Sequence, residues 1–193
     1  MGHGVGAALL AALVLGSLRS SRRAGDPLLE HASAANAAVS EHASNDQFVT
    51  GQLLRIELAT GVVQVVNAGH VLPLLVRKGT VEEVPLTVDL AFGMLPGTGY
   101  RLQQFQLEPG DRLVLLTDGM LERRAVKADI RDLLGTLGDL HPREAVQALT
   151  AAVVRAAGDE LEDDATVLVL DWYGGADSRR GAKGGASRHL ASR

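Results

Sequence analysis

The hydrophobic pattern of the first 43 residues predicts two helices. Residues Val5 to Leu18 are almost all apolar, with Gly and Ala spaced among them, which predicts a buried helix over about 5–23. Asp26 and Pro27 then have the order of an N-cap followed by the first residue of a second helix, expected over about 28–43. The buried stripe of this second helix would consist of Leu29, Ala32, Ala35 and Val39.

The centre of the chain has the pattern of strands joined by tight turns. Short apolar or alternating runs predict strands over 48–58, 62–66, 72–79 and 100–107, an apolar strand over 112–117, and one or two short strands within 80–91. Turn residues separate these runs at 59–61, 67–70 and 108–111. Successive strands with tight turns form an antiparallel sheet, so the predicted fold class is α+β.

Helical periodicity returns after residue 119. It is interrupted near Gly135 and Gly138 and then predicts a clear helix over 143–157. The run ATVLVLDW predicts a buried last strand. Residues 173–193 are rich in Gly, Ala, Ser and Arg without an apolar period, which predicts a disordered basic tail.

Composition and charge exclude several function classes. The chain has no cysteine, which rules out disulfides and a thiolate nucleophile. The first 172 residues carry 14 basic and 22 acidic side chains, a net charge of −8, so nucleic-acid binding is not expected. The apolar run near the N-terminus is shorter than the roughly 20 residues of a membrane span, and its arginines follow it. No membrane association is therefore predicted, and the expected location is the cytoplasm.

Carboxylates at strand ends are the candidate chemistry. Asp118 follows the apolar strand 112–117, and Asp163 and Asp164 precede the last strand. Converging carboxylates at the rim of a sheet would suit Mg²⁺ or Mn²⁺, which prefer oxygen ligands. From the residues alone, the alternative that these acids only form a turn and a loop cap stays open.

Four sequence blocks, taken together and in order, resemble a known family. GHGVGAALLAAL, VNAGHVLPLLVR, LEPGDRLVLLTDGMLE and EDDATVLVLDW are similar to the SpoIIE-like branch of the PPM-type protein phosphatases. The resemblance implies an α-β-β-α sandwich and two-metal hydrolysis of phosphoserine or phosphothreonine by an activated water. It also implies a phosphorylated regulatory protein, of the anti-anti-sigma type, as the partner.

The resemblance assigns roles to individual positions. It makes Asp118 a metal ligand, Asp163 the expected second ligand and Asp164 its hydrogen-bonding neighbour, although the order of these two stays open. The loop Gly2, His3 and Gly4 would lie near the substrate phosphate, at the start of the first helix, or serve only the shape of the loop. The expected structural motif residues are Asn67, Gly69, His70 and Gly119, and direct catalysis by His70 is not expected. Asp111 is interpreted as a turn acid and Glu122 as a helix-surface acid.

The sequence also departs from the family pattern. Family members carry an early acidic residue and a second Asp that bridges the two metals, and both positions would precede Met1. The sequence therefore predicts an N-terminally truncated phosphatase domain over 1–172. Two interpretations remain: a longer active protein with a start set too far downstream, or an inactive remnant that binds partners, for example through the helices at 120–157.

Overall fold

The part of the chain that the structure describes forms four α-helices, one 3₁₀ turn and seven strands. The computed structural model describes residues 5–43, 47–120, 130–138, 140–157 and 165–175, and all structural statements below concern these residues. The helices are α1 (Val5–Ala24), α2 (Leu28–His42), α3 (Ile130–Thr136) and α4 (Pro142–Ala157). The strands are β1 (Gly51–Ile56), β2 (Val62–Ala68), β3 (Leu74–Arg77), β4 (Thr80–Glu83), β5 (Gln103–Gln106), β6 (Asp111–Leu116) and β7 (Val167–Trp172).

The strands form two sheets in which every strand pair is antiparallel, as predicted. The first sheet has the order β1-β2-β5 and the second has the order β4-β3-β6-β7. Side chains alternate between the two faces of a strand, so each sheet buries one face against the other sheet and one face against helices. The result is a four-layer arrangement with helices outside and two sheets inside.

Helices α1 and α2 cover the outer face of the first sheet. Their small and branched side chains pack on Val66 and Ala68 of β2 and on Phe92, and the α2 residues Ala32, Ala35 and Val39 have no exposed surface. The predicted stripe of α2 is confirmed, with Leu29 only partly buried. Two polar α2 residues that the pattern did not indicate, His31 and Asn36, are also buried. Asn36 accepts a hydrogen bond from the Gly93 amide and thereby ties α2 to the loop after β4.

Helices α3 and α4 cover the outer face of the second sheet. Leu134, Ala145, Leu149 and Val153 of these helices pack on Leu74 and Val76 of β3 and on Val114 and Leu116 of β6. Between the two sheets lies a smaller core. Its buried members are Val63, Leu107 and Trp172, with Leu54, Ile56, Leu75, Phe105 and Leu170 packed around them.

The start of α2 differs from the prediction. Pro27, not Asp26, is the cap residue, and no side chain caps the helix. Asp26 instead donates its backbone N–H to the carbonyl of Ser21 at 3.1 Å, while Gly25 has a φ of 78°. This is how a glycine-terminated helix closes its last carbonyls, so Asp26 serves the end of α1 rather than the start of α2.

The last strand also differs from the prediction of a buried strand. β7 lies at an edge of the second sheet, and most of its residues are only half-buried. Leu168 is 59% exposed although it shares a strand face with Leu170 and Trp172. The apolar run predicted that β7 is buried, but hydrophobicity does not show whether a second strand pairs with its other edge.

Two further findings concern the chain ends. The hydroxyl of Tyr173, which the sequence assigns to the tail, donates a hydrogen bond to the Asp171 carboxylate at 2.8 Å. The rest of the predicted tail, residues 176–193, lies outside the described part of the chain. Among the described helices, none is both long and apolar enough to cross a bilayer.

Candidate active site

Asp118 stands where β6 ends. The strand is buried along most of its length, and a single 3₁₀ turn, Asp118–Met120, follows Thr117. Met120 is buried and donates its N–H to the Thr117 carbonyl at 3.0 Å, while Gly119 donates to Oδ1 of Asp118 at 3.2 Å. These hydrogen bonds and the buried Met120 hold the backbone of the turn, while Asp118 itself is exposed to solvent.

The beginning of β7 is joined to this turn by hydrogen bonds. The Thr117 N–H donates to the Thr166 carbonyl at 3.0 Å, and the Thr166 N–H donates to Oγ1 of Thr117 at 2.8 Å. We call this pair the threonine junction. It brings the T-D-G block and the end of the D-D-A-T block together, because Thr117 precedes Asp118 and Thr166 follows Asp164 by two positions.

The N-A-G-H block forms a turn that closes on itself. Asn67 is completely buried, accepts the His70 N–H at 2.9 Å and donates its amide to the His70 carbonyl at 3.0 Å. Gly69 has a φ of 68°, and a Cβ there would lie 2.9 Å from the Cβ of Ala91. Only glycine fits this combination of conformation and space without strain.

The His70 ring reaches from this turn to the end of β6. Its Nδ1 lies 3.3 Å from Oγ1 of Thr50, which precedes β1, and its Nε2 lies 3.1 Å from the carbonyl of Leu116. A carbonyl can only accept, so Nε2 carries the proton and donates. The Thr50 hydroxyl can donate or accept, so both ring nitrogens have a partner.

The first turn of α1 lies beside Gln47, in the segment that leads into β1. A Cβ on Gly6 would lie 3.1 Å from Nε2 of Gln47, three residues before Thr50. Helix α1 has no acidic residue in its first turn, so the partial positive charge of its N-terminus is not offset there. The segment 47–50 therefore links the start of α1 to the His70 ring.

Two other acids of the fold, Asp89 and Asp111, are paired with arginines. Asp89 is bonded to Arg101, and the buried Asp111 accepts two hydrogen bonds from Arg77 and one from the Glu108 N–H. Asp111 thus closes the predicted turn and also forms an ion pair, which raises the pKa of Arg77 through the hydrogen bond to the carboxylate. These acids are committed to the fold.

Several predicted site residues fall outside the described residues: Gly2, His3, Gly4, Glu122, Asp163 and Asp164. Within the described ranges no group of three or more His, Cys, Asp or Glu is placed to hold a metal ion. An exposed carboxylate on a rigid strand end is a suitable oxygen ligand for Mg²⁺ or Mn²⁺, but one carboxylate is only part of such a site. Asp118 fits one ligand position, and the described residues do not supply the others.

Comparison with known proteins decides the family. A family model described as Stage II sporulation protein E (SpoIIE) matches residues 1–173. The chain belongs to the SpoIIE family. Among proteins with curated descriptions, none matches this SpoIIE-family chain.

Solved structures share the fold of this SpoIIE-family chain. The RsbU and RsbW domains of a Mycobacterium tuberculosis protein are 26% identical, with a TM-score of 0.75, over 88% of this chain and 48% of that one. The PP2C phosphatase domain with a regulatory fragment of SpoIIE from Bacillus subtilis is 22% identical, with a TM-score of 0.75, over 88% and 51%. The PPM Ser-Thr phosphatase MsPP from Mycobacterium smegmatis, in complex with cacodylate, is 26% identical, with a TM-score of 0.65, over 83% and 80%.

These similarities confirm the predicted α+β fold of the PPM type. The SpoIIE-family chain spans about half the length of the first two structures. Sequence reasoning found Asp118 and the N-A-G-H turn, but it missed the threonine junction and the contact of His70 with Thr50. The two junction threonines were visible inside the T-D-G and D-D-A-T blocks, whereas nothing in the sequence around Thr50 signals its role.

Proposed function

We propose that this chain carries the metal-binding end of a protein serine/threonine phosphatase. The observation that carries the proposal is the threonine junction, which joins Asp118 to the residues directly after Asp163 and Asp164. Carboxylates contributed by the two joined strand ends would provide the oxygen ligands that Mg²⁺ or Mn²⁺ prefer. Asp118 would be one ligand, Asp163 the second, and Asp164 the hydrogen-bonding neighbour of this pair.

The proposed reaction is hydrolysis of phosphoserine or phosphothreonine without a covalent intermediate. Two divalent ions, when bound, make a water nucleophilic near neutral pH and brace the phosphoryl oxygens. The chain's own contribution is to hold Asp118 on a fixed strand end and to present the N-terminus of α1, with Gly2, His3 and Gly4 before it, toward an anion. The names of the matching structures, which include PP2C and PPM Ser-Thr phosphatases, support this reaction class.

The proposed substrate is a phosphorylated regulatory protein of the anti-anti-sigma type in the cytoplasm. Family membership supports this class of partner, and the relatives named RsbU and SpoIIE, the latter called a cell fate determinant, are in keeping with a regulatory role. The same fold with an incomplete ligand set would instead serve as a binding module, and the experiment below separates the two.

The first test is Mn²⁺ binding, measured by calorimetric titration of the chain as it stands, together with hydrolysis of p-nitrophenyl phosphate and of a phosphothreonine peptide. We expect Asp118→Asn to weaken Mn²⁺ binding by at least about tenfold and to abolish Mn²⁺-dependent turnover, because a ligand carboxylate is lost. Mn²⁺ binding of equal strength in the chain and in Asp118→Asn would contradict the proposal.

Glu30→Gln is the matched control for this test. It also removes one negative charge from an exposed acid. Glu30 lies in the first turn of α2, four residues after Asp26. The Asp26 carbonyl accepts a hydrogen bond from Arg55, which lies near the end of β1, whereas Thr50 and the His70 contact lie before its start. It should leave both Mn²⁺ binding and turnover unchanged.

A further inference from the structure

The hydrogen bond from His70 to the Leu116 carbonyl takes the place of a backbone hydrogen bond between β3 and β6. In the register of β3 and β6, Leu75 lies opposite Leu113 and Leu74 lies opposite Val114. Continuing this register would place Leu72 opposite Leu116, but β3 begins only at Leu74. The pairing therefore stops two residues before the end of β6.

The Leu116 carbonyl faces this gap. Backbone groups of successive strand residues point to opposite sides, and the Thr117 N–H points to Thr166 beyond the start of β7. The carbonyl of the preceding residue, Leu116, consequently points to the β3 side, where the ladder has ended. Leu116 is itself buried, so a carbonyl left without a partner there would be costly.

His70 supplies the hydrogen-bond donor that the Leu116 carbonyl lacks within the sheet, and the backbone of His70 is itself held in place. The ring donates to the Leu116 carbonyl at 3.1 Å, while Thr50 contacts its other nitrogen at 3.3 Å. The backbone of His70 is held at both its N–H and its carbonyl by the buried Asn67 side chain. The two sheets are thus joined at the point where β6 turns toward Asp118.

We propose that His70 is a positioning residue, which fixes the Leu116–Asp118 strand end so that the Asp118 carboxylate is held ready for a metal ion. It does so through the Leu116 backbone and does not touch the reacting atoms. The proposal rests on the proposed function for its consequence, metal binding, but the positioning itself is a property of the fold and can be measured without metal.

Two uncharged substitutions of His70, which differ in side-chain length, test its hydrogen bond to the Leu116 carbonyl. The amide nitrogen of Gln sits close to where Nε2 of His lies, so His70→Gln can still donate to the Leu116 carbonyl, whereas the shorter His70→Asn cannot. Thr50→Val removes the other contact of the ring and keeps its shape. Thermal unfolding of each variant sets a temperature at which all of them are fully folded, so that a general loss of stability does not enter the comparison.

Amide hydrogen exchange, followed residue by residue by NMR without metal, reports the positioning. We expect His70→Asn to speed exchange of the Thr117 and Met120 amides by about tenfold, since one hydrogen bond holding this segment is lost, and to leave the Val76 amide unchanged. His70→Gln should retain the protection. Equal exchange at Thr117 and Met120 in the native chain and in His70→Asn would overturn the proposal.

The Mn²⁺ titration reports the consequence. His70→Asn should raise the Kd for Mn²⁺ by roughly tenfold, and His70→Gln should restore most of the affinity, as found when groups that orient a metal ligand are changed and then replaced conservatively. Unchanged Mn²⁺ affinity in His70→Asn, with affinity lost in Asp118→Asn, would overturn this inference and leave the proposed function intact. Faster exchange in His70→Asn with Mn²⁺ binding that does not depend on Asp118 would instead overturn the proposed function and leave the positioning role.

Discussion

At the residue scale, Gly61 carries a constraint that the turn alone does not explain. It sits in the β1–β2 hairpin with a φ of 79°, and a Cβ there would lie 2.7 Å from the Trp172 indole and 2.9 Å from the Leu107 carbonyl. Gly79, in the β3–β4 hairpin, has a similar φ of 83°, but a Cβ at that position would have no heavy atom within 4 Å. Comparing the two glycines therefore separates the cost of a side chain at positive φ from the cost of its steric clash.

We expect Gly61→Ala to destabilise the protein more than Gly79→Ala. Both substitutions cost about 1–2 kcal/mol for a side chain in the left-handed region, and Gly61→Ala must in addition displace Trp172 at about 1–3 kcal/mol. Urea unfolding of the two variants measures the difference. Equal losses of unfolding free energy would show that the inner core yields to a methyl group without cost.

Tyr100 makes the stability depend on alkaline pH. Burial, with a smaller contribution from Asp89, raises the pKa of Tyr100 from 10.0 to about 12. Between these values the unfolded chain gives up its phenol proton while the folded chain keeps it, so the unfolding free energy falls as the pH rises. Below a pH of about 10 the contribution is fully present.

Tyr100→Phe should remove this fall. Among the described residues the buried Tyr100 hydroxyl has no hydrogen-bond partner, so the variant should be at least as stable as the native chain near neutral pH. The ring would keep its tilted contact with Phe92, at 5.3 Å between centroids. Urea unfolding at about pH 8 and about pH 11 provides the comparison, and an identical decrease in both proteins would contradict the assignment.

The sequence predicted individual residues well where local chemistry decides their role. The turn at Asn67, Gly69 and His70 could be placed because Asn and Gly have well-defined turn preferences. The use of the His70 ring could not, because its partners are 20 and 46 residues away in the chain. Contacts over such distances depend on the packing of two sheets, which no local pattern encodes.

At the scale of elements, Arg112 fastens the helical layer to the second sheet. It is 3% exposed, donates to both oxygens of Asp171 on β7 at 2.7 and 2.9 Å, and donates to the Leu137 and Leu140 carbonyls beyond α3. The hydrogen bond to Asp171 raises the pKa of Arg112 despite its burial. One side chain thus joins β6, β7 and the connection between α3 and α4.

Arg112→Met should lower the unfolding free energy by about 3–5 kcal/mol, because the Asp171 carboxylate and two carbonyls lose their buried partner. Arg131→Met is the control, since Arg131 pairs with Glu83 at a surface where both side chains are about half exposed, and it should cost less than about 1 kcal/mol. Chemical denaturation compares the two. A loss in Arg112→Met no larger than in the control would show that the buried pair contributes little.

Element types were predictable, and their ends less so. The helices α1, α2 and α4 appear within a residue or two of the expected positions, whereas the strands around β1, β3 and β5 are shorter than their apolar runs. Strand length is set by how far the neighbouring strand extends, and the pairing of β3 with β6 stops at Leu74 and Val114. The N-cap of α2 was assigned wrongly, because Asp26 closes the end of α1 and Pro27 is the cap residue.

At the scale of the whole molecule, the α+β class followed from the order of the elements, and the α-β-β-α layers followed from the family resemblance. The residue pattern placed Asp118 after an apolar strand, as the structure has it, and the fold brings this strand end next to Thr166. Its role as a metal ligand, which the family resemblance implies, stays a prediction. The roles of Asp163, Asp164 and the Gly2–Gly4 loop stay predictions, since these residues lie outside the described part of the chain. Metal titration of the chain and of Asp118→Asn is the experiment that addresses them together.

The outer side of β7 has a consequence for how the molecule can be extended. Within the described residues β7 pairs with β6 alone, so its other side offers a row of backbone donors and acceptors as a template for one more strand. Such a strand would cover the exposed Leu168 and run past Thr166 into the surroundings of Asp118. A strand that extends the sheet at this edge would therefore also cover the surroundings of Asp118, whichever polypeptide supplies it.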